Sequence, residues 1–132
     1  MQMTLDADSR VNLIRGYAPG EVRIGERVFH DNVLVTANAL IEKWDSRDLE
    51  AVFALKPDVV LLGSGEVQQF PASSVRAAFA LRRIALEPMT LGAACRTFNI
   101  LVQEGRSVCA ALELHRQRTQ GEKAFNQPII RS

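Results

Sequence analysis

The chain has 132 residues, with 16 basic and 15 acidic side chains and a formal net charge of +1 at pH 7. Hydrophobic residues make up 47% and charged residues 23%, a balance that excludes a disordered chain. At about 150 residues per domain, this length predicts one domain. The near-zero charge argues against a protein that a strong overall positive field would steer to nucleic acid.

The N-terminal segment and the cysteines predict a cytoplasmic protein. Residues 1–15 contain charged side chains and no apolar stretch, so they do not resemble a signal peptide. No apolar run approaches the roughly 18 residues of a membrane span. Cys95 and Cys109 both lie in apolar sequence, which is typical of buried, reduced thiols in a reducing compartment.

The first half of the chain is predicted to form strands. The evidence is short apolar stretches separated by turn residues such as Pro19-Gly20 and Gly25. A five-residue stretch at Leu40–Trp44 is ambiguous, because it is too short to separate strand from helix by period. The predicted strands are Val11–Tyr17, a hairpin of Glu21–Ile24 and Arg27–Phe29, and Asn32–Val35.

The second half is predicted to alternate helix and strand. A helix capped by Asp45 or Ser46 carries Leu49, Val52 and Phe53 on one face and stops before Pro57. A second helix begins at Ser73 or Ser74 and turns Val75, Ala78 and Phe79 inward. The predicted strands are Asp58–Leu62, apolar enough to be covered on both faces, then Ala85–Met89 and Ser107–Leu112.

A third helix has the clearest pattern in the chain. Thr90 is its predicted cap, and Gly105 is the left-handed residue that ends it. Its apolar face comprises Leu91, Ala94, Cys95, Phe98, Leu101 and Val102, and Arg96, Asn99 and Gln103 form the opposite, polar stripe.

These elements predict an α/β fold of three layers. The βαβαβ order of the second half implies right-handed crossovers and a mixed sheet with a parallel part. The β-rich first half is expected to supply a second, antiparallel layer. The domain is predicted to span residues 11–113, with a flexible N-terminus at 1–10 and a polar, flexible tail at 114–132.

Two loops are the main candidates for a binding site, because ligands of such sheets bind beyond the carboxyl ends of the parallel strands. One loop is Gly63-Ser64-Gly65-Glu66, and the other contains Met89 and Thr90. Free backbone N–H groups near Thr90 are suited to an anion. The glycines fit either a ligand loop or a purely structural turn, since the third glycine of a dinucleotide fingerprint is absent.

Arginines on the second helix form a second candidate. Arg76 and Arg83 are one heptad apart, and Arg82 lies beside them. They fit a phosphate-binding or partner-binding patch, but the favoured interpretation is a solvated face whose last-turn arginines complement the helix dipole.

Catalytic and metal-binding patterns are missing from the sequence. The two histidines, His30 and His115, and the two cysteines are far apart, without the short spacing of a metal site. Glu66, Glu87 and Glu104 are available for acid–base chemistry, but no motif pairs them. We therefore expect neither a metal nor another cofactor, and no enzyme class is indicated.

Several segments resemble the Mth-type domain family of unknown function. They are Lys56–Gly65 (KPDVVLLGSG), Glu87–Asn99 (EPMTLGAACRTFN) and Glu104–Val108 (EGRSV), with Ile14–Tyr17 and Glu26–His30 in the first half. The family includes bacterial and archaeal single-domain proteins, the adipogenesis-associated Mth-domain protein and a mitochondrial assembly factor for respiratory complex I. It often carries an acidic residue and threonine where this chain has Thr90-Leu91, and tyrosine where it has Phe98.

The resemblance implies the same three-layer fold and no established enzymatic activity. It implies a non-enzymatic domain that binds a protein partner, such as an assembly or biogenesis factor for a membrane protein complex, with membrane association only through that partner. The alternative is a small-molecule or anion-binding domain, or a cryptic enzyme, that uses Gly63–Gly65 and the helix start at Thr90. Arg96 and Asn99 then serve either to anchor the helix or to form a polar rim. Nucleic acid is not an expected partner.

Overall fold

The computed structural model describes residues 11–65 and 70–114. The predicted flexible N-terminus at 1–10 lies outside the described residues, as does the predicted tail at 114–132 apart from Leu114. The strands are β1 (Ile14–Ala18), β2 (Glu21–Ile24), β3 (Arg27–Phe29), β4 (Val33–Val35), β5 (Leu40–Glu42), β6 (Val59–Ser64), β7 (Ala85–Met89) and β8 (Val108–Glu113). The helices are α1 (Leu49–Ala54), α2 (Ser73–Leu81) and α3 (Leu91–Gln103).

A five-stranded mixed sheet forms the middle layer, in the order β5-β4-β8-β6-β7. Strand β6 pairs in parallel with β7 on one side and with β8 on the other. The predicted parallel part of the sheet is therefore confirmed. Both central strands are apolar because each sheet face is covered, as the sequence of β6 indicated.

The first half of the chain is divided between two sheets. Strands β1, β2 and β3 form a separate antiparallel sheet, with the predicted hairpin at Gly25. Strands β4 and β5 instead extend the middle sheet, where β4 pairs antiparallel with β8. The expectation that the early strands form a second layer was therefore wrong for β4, and the stretch at Leu40–Trp44 that was ambiguous in the sequence supplies strand β5. The side chains of Val33, Leu34 and Val35 are all buried, so this strand needs cover on both faces.

Two apolar clusters cover the two faces of the middle sheet. On one face, α3 and the three-stranded sheet pack against β6 and β8 around Phe98. On the other face, α1 and α2 pack around Phe79 and Trp44. Leu114 is also buried in the first cluster, so the packed domain continues one residue past the predicted boundary at 113.

The starts of α1 and α3 follow capping side chains that are free to accept a hydrogen bond. Asp48, not Asp45 or Ser46, caps α1 by accepting a hydrogen bond from the Ala51 N–H. Asp45 is already engaged with Arg47, whose side-chain hydrogen bond lowers the pKa of that carboxyl. Thr90 caps α3 and Gly105 adopts a φ of 78°, so both predicted ends of this helix are confirmed.

Candidate functional site

The end of β6 meets the start of α3, as the sheet topology predicted for the two candidate loops. The strand runs through Gly63 and Ser64, further than expected, so these two residues are not in a loop. Gly65 follows with a φ of 57°, and its carbonyl accepts a hydrogen bond of 2.9 Å from the Leu91 N–H. Glu66 lies outside the described residues.

Helix α3 packs closely against Gly63, because this residue has no Cβ. A Cβ placed on Gly63 would lie 2.6 Å from the Ala94 Cβ and 3.6 Å from the Leu91 Cα. The glycine is therefore required for the helix to pack on the sheet. Met89 packs against the same cluster and is partly buried.

Most backbone donors at the α3 N-terminus already have partners within the chain. The Leu91 N–H bonds to Gly65, the Ala93 N–H to the Thr90 hydroxyl at 3.3 Å, and the Ala94 N–H to the Thr90 carbonyl at 2.9 Å. A Cβ on Gly92 would lie 2.7 Å from the Tyr17 hydroxyl, so the tyrosine covers this end of the helix. This leaves little free backbone for an anion.

Arg96 and Asn99 both connect α3 to β1. The Arg96 guanidinium donates to the Tyr17 hydroxyl at 2.8 Å. The Asn99 side chain donates to the Ile14 carbonyl and accepts from the Ile14 N–H, both at 2.8 Å. The geometry is that of a helix anchor. The polar stripe of α3 is thus partly covered by the three-stranded sheet, a long-range contact that helical spacing does not reveal.

Replacing Asn99 with alanine is expected to lower the free energy of unfolding by about 2 kcal/mol, because two hydrogen bonds to a buried strand end are lost. Urea denaturation measures this loss, and amide exchange should accelerate in β1. Gln103→Ala is the matched control, since Gln103 lies in the same helix and is exposed. Equal stability of the two variants would contradict the anchoring role.

The arginines near α2 have separate environments. The Arg82 guanidinium lies 4.0 Å from the centre of the Phe53 ring and so joins α2 to α1. Arg83 lies beyond the end of the helix with a φ of 58°, so Arg76 and Arg83 do not share one helical face as their spacing suggested. All three side chains are exposed.

The outer face of α2 is exposed and carries one charged residue, Arg76, beside Ser73, Ala77, Ala80 and Leu81. Leu81 is 82% exposed. The solvated arginine face expected from the sequence therefore contains one arginine, Arg76, among alanine, serine and leucine residues. Phe70, just before the helix, is 78% exposed.

A cavity of about 240 Å³ lies on the α1–α2 side of the middle sheet, the face opposite to α3. Its lining is mostly aromatic and aliphatic and includes Trp44, Leu49, Val75 and Ala111, with Glu113 among the few polar residues. No local sequence motif predicts this cavity, because the residues that line it come from distant parts of the chain.

Within the described residues, His, Cys, Asp and Glu side chains do not form a group of three or more able to hold a metal ion. Cys95 and Cys109 are both buried and free, as predicted. Burial raises the pKa of each thiol to about 12.

Both thiols are therefore expected to be unreactive toward a disulfide reagent in the native protein at about pH 8. They should react at once after denaturation. The thiol pKa is 9.0 in the unfolded chain and about 12 in the folded chain. Between these pH values the unfolded chain loses the thiol protons while the folded chain keeps them, so the free energy of unfolding decreases as the pH rises from 9.0 to about 12. Rapid modification of the native protein would contradict the burial of both groups.

The fold and the α3 signature define an α/β domain of the Mth938-like type. Residues 14–113 match the family described as protein of unknown function (DUF498/DUF598). The chain belongs to this family, which confirms the resemblance found in the sequence.

Two relatives match much of the chain. An uncharacterised protein of Rhodobacter capsulatus is 34% identical over 102 residues, covering 75% of this chain and 82% of the relative. A protein of Francisella tularensis subsp. holarctica named 13 kDa major membrane protein is 28% identical over 96 residues, covering 66% of this chain and 76% of its own length.

Solved structures share the fold. A Xanthomonas campestris protein has a TM-score of 0.74 and 31% identity, covering 92% of this chain and all of its own (100%). A Bordetella pertussis protein described as a Mth938-like domain has a TM-score of 0.67 at 20% identity, covering 77% of this chain and 85% of its own. None of the helices in residues 11–65 and 70–114 has the length and hydropathy needed to cross a bilayer.

Proposed function

We propose that this chain is a non-enzymatic protein-binding domain that docks a partner through the outer face of α2. The observation that carries the proposal is the exposure of Leu81, at 82%, at the C-terminal end of a helical face whose one charged residue is Arg76. An exposed helix of a domain that meets only water normally turns charged residues outward. Burying such a leucine contributes about 2 kcal/mol to an interface.

Charge indicates the chemistry of the partner. Residues 70–86 contain Arg76, Arg82 and Arg83 and no acidic side chain. The partner is therefore a protein segment with an apolar helical stripe bordered by aspartate or glutamate. Such a segment covers Leu81 while its carboxylates face the arginines.

The resemblance to an assembly factor supports a role in the biogenesis of a membrane protein complex. The name of the Francisella relative, a major membrane protein, is in keeping with a membrane context for that protein. For this chain we propose a cytoplasmic location, supported by two free, buried cysteines. Contact with the membrane then passes through the partner.

The alternative anion site at Gly63–Gly65 and Thr90 has less support. Its backbone donors at Leu91, Ala93 and Ala94 already bond within the chain. An added anion would have to displace those bonds.

The experiment places a photoreactive p-benzoylphenylalanine at position 81 in the native host and identifies the crosslinked protein. The purified partner is then titrated with the unmodified chain and with Leu81→Asp. We expect Leu81→Asp to weaken binding at least about tenfold, since it removes the leucine that the partner covers in the complex and repels the partner's carboxylates. Both proteins should unfold at the same denaturant concentration.

Ile100→Asp is the matched control, because Ile100 is also an exposed helical residue, at 55%, but lies on α3. It should bind as tightly as the unmodified chain. Equal loss in both variants, or no loss in Leu81→Asp, would refute the proposed surface. Binding to anionic vesicles that depends on Leu81 would assign the face to a lipid surface instead.

A further inference from the structure

Basic residues gather at one edge of the middle sheet, where β6, β7 and β8 begin and where the helices before them end. Each of the three connections contributes at least one of these residues. They are Lys56 before β6, Arg82 and Arg83 before β7, and Arg106 before β8. All four side chains are exposed. We call these four residues the strand-start surface.

Backbone contacts hold the three connections side by side. The Asp58 N–H donates to the Ser107 carbonyl at 2.8 Å, and the Ala85 N–H donates to the Asp58 carbonyl at 3.0 Å. The Ser107 hydroxyl donates to the Lys56 carbonyl at 3.3 Å. Basic residues from three separate segments therefore lie at one end of the domain. The exposed Leu81, the last residue of α2, lies at the same end.

The positive charge of the strand-start surface is not neutralised within the described part of the chain. The same connections contain two acidic residues, Asp58 and Glu104, against the four basic ones. None of the four basic side chains forms an ion pair with another described residue, since the ion pairs of Arg27, Arg47 and His30 lie elsewhere. An anionic group can therefore approach this surface without displacing such a pair.

Two of the basic residues occupy positions where glycine is the usual residue. Lys56 and Arg83 follow α1 and α2 with φ values of 54° and 58°. This left-handed backbone strains a residue that has a Cβ, and glycine normally ends helices in this way, as Gly105 does after α3. Ending a helix does not require a long cationic side chain there. A requirement for positive charge on this surface accounts for both residues.

We propose that the strand-start surface binds an acidic stretch of the same partner that covers Leu81. This inference rests on the proposed protein-binding function and adds the order of residues in the partner. Residues 70–75, at the other end of the α2 region, contain no charged side chain. The partner segment therefore has apolar residues over α2 and its acidic residues clustered at the end that lies beyond Leu81.

The first test measures the binding of a short fluorescein-labelled poly-L-glutamate by fluorescence anisotropy. We expect binding at low ionic strength that weakens as salt is added, because exposed charges are screened. Arg106→Ser should weaken this binding about two- to fivefold, the range that one exposed ion pair contributes. Arg23→Ser is the matched control, since it removes an exposed arginine from β2 of the three-stranded sheet and should leave binding unchanged.

Lys56→Gly separates a binding role from a structural one. Glycine relieves the strain of the left-handed backbone, so the denaturation midpoint should be unchanged or higher. Binding of poly-L-glutamate should nevertheless weaken about two- to fivefold. A lower midpoint with unchanged binding would show that the lysine serves the fold, and would overturn its place in the surface.

The partner captured at position 81 provides the second test. Arg106→Ser and Lys56→Gly should each weaken its binding, again about two- to fivefold. If Leu81→Asp weakens partner binding and these two variants do not, the surface at Leu81 stands and the present inference is refuted. If none of the three variants weakens it, the proposed function fails as well. Binding to vesicles that contain phosphatidylserine, without binding to poly-L-glutamate, would also overturn the inference.

Discussion

Replacing Phe98 with alanine is expected to lower the free energy of unfolding by about 4 kcal/mol. Phe98 is the largest fully buried side chain, at 0% exposed, among the described residues and lies where α3 packs against both sheets. Truncation leaves a void that the surrounding strands cannot close, since β6 and β8 are fixed by hydrogen bonds on both sides. Urea or thermal denaturation measures the loss.

The control for this variant is Ile100→Ala. Ile100 lies two residues away on the same helix and is exposed, so its truncation should change stability by about 0.5 kcal/mol or less. A loss below about 1 kcal/mol for Phe98→Ala would mean that the cluster repacks, and it would contradict the rigid contact between α3 and the middle sheet.

Replacing Gly63 with valine is expected to cost about 3 kcal/mol through overpacking. A Cβ at this position would lie 2.6 Å from the Ala94 Cβ and 3.1 Å from Leu112 Cδ2, so α3 must move away from β6. The branched side chain adds two more methyl groups in the same space. Loss of near-ultraviolet signal and a lower denaturation midpoint are the expected observations.

Gly16→Val is the matched control, because Gly16 is also a strand glycine but has open space beside it. Apart from its chain neighbours, no described residue has an atom within 4 Å of the position that a Cβ on Gly16 would take. Valine favours strands, so this variant should be as stable as the unmodified chain or slightly more stable. If both variants were equally destabilised, the cost would come from the strand backbone and not from the contact with α3.

The local sequence pattern predicted a helix or strand well where the residues that define it lie close together in the chain. In α3 the apolar spacing, the Thr90 cap and the Gly105 end are all encoded within adjacent turns, and all three were confirmed. The apolar sequence of β6 similarly indicated cover on both faces. The start of α1 was misplaced because three neighbouring residues can cap a helix, and only the contact between Asp45 and Arg47 removes one of them.

The candidate site was harder to predict than the helices and strands, because its residues contact segments that are distant in the sequence. Gly63 and Thr90 were identified from the sequence as candidate ligand-binding residues. In the structure, α3 occupies the space beside Gly63, and the hydroxyl and carbonyl of Thr90 accept hydrogen bonds from the backbone of α3. Asn99 lies on the polar stripe of the helical pattern, and that pattern does not predict its hydrogen bonds to the backbone of Ile14, which is 85 residues away. Leu81 is an apolar helical residue in the sequence, and only the structure shows that it is exposed.

The sequence by itself determined the α/β class, the family, the buried thiols and the ends of α3, because each depends on residue type and short spacing. Only the tertiary structure decided that β4 and β5 extend the middle sheet and that α3 occupies the space at Gly63. It also decided that a cavity lies beside Trp44 and Glu113. These features arise where segments distant in the chain meet, and close packing between such segments is fixed by the shapes of both surfaces together.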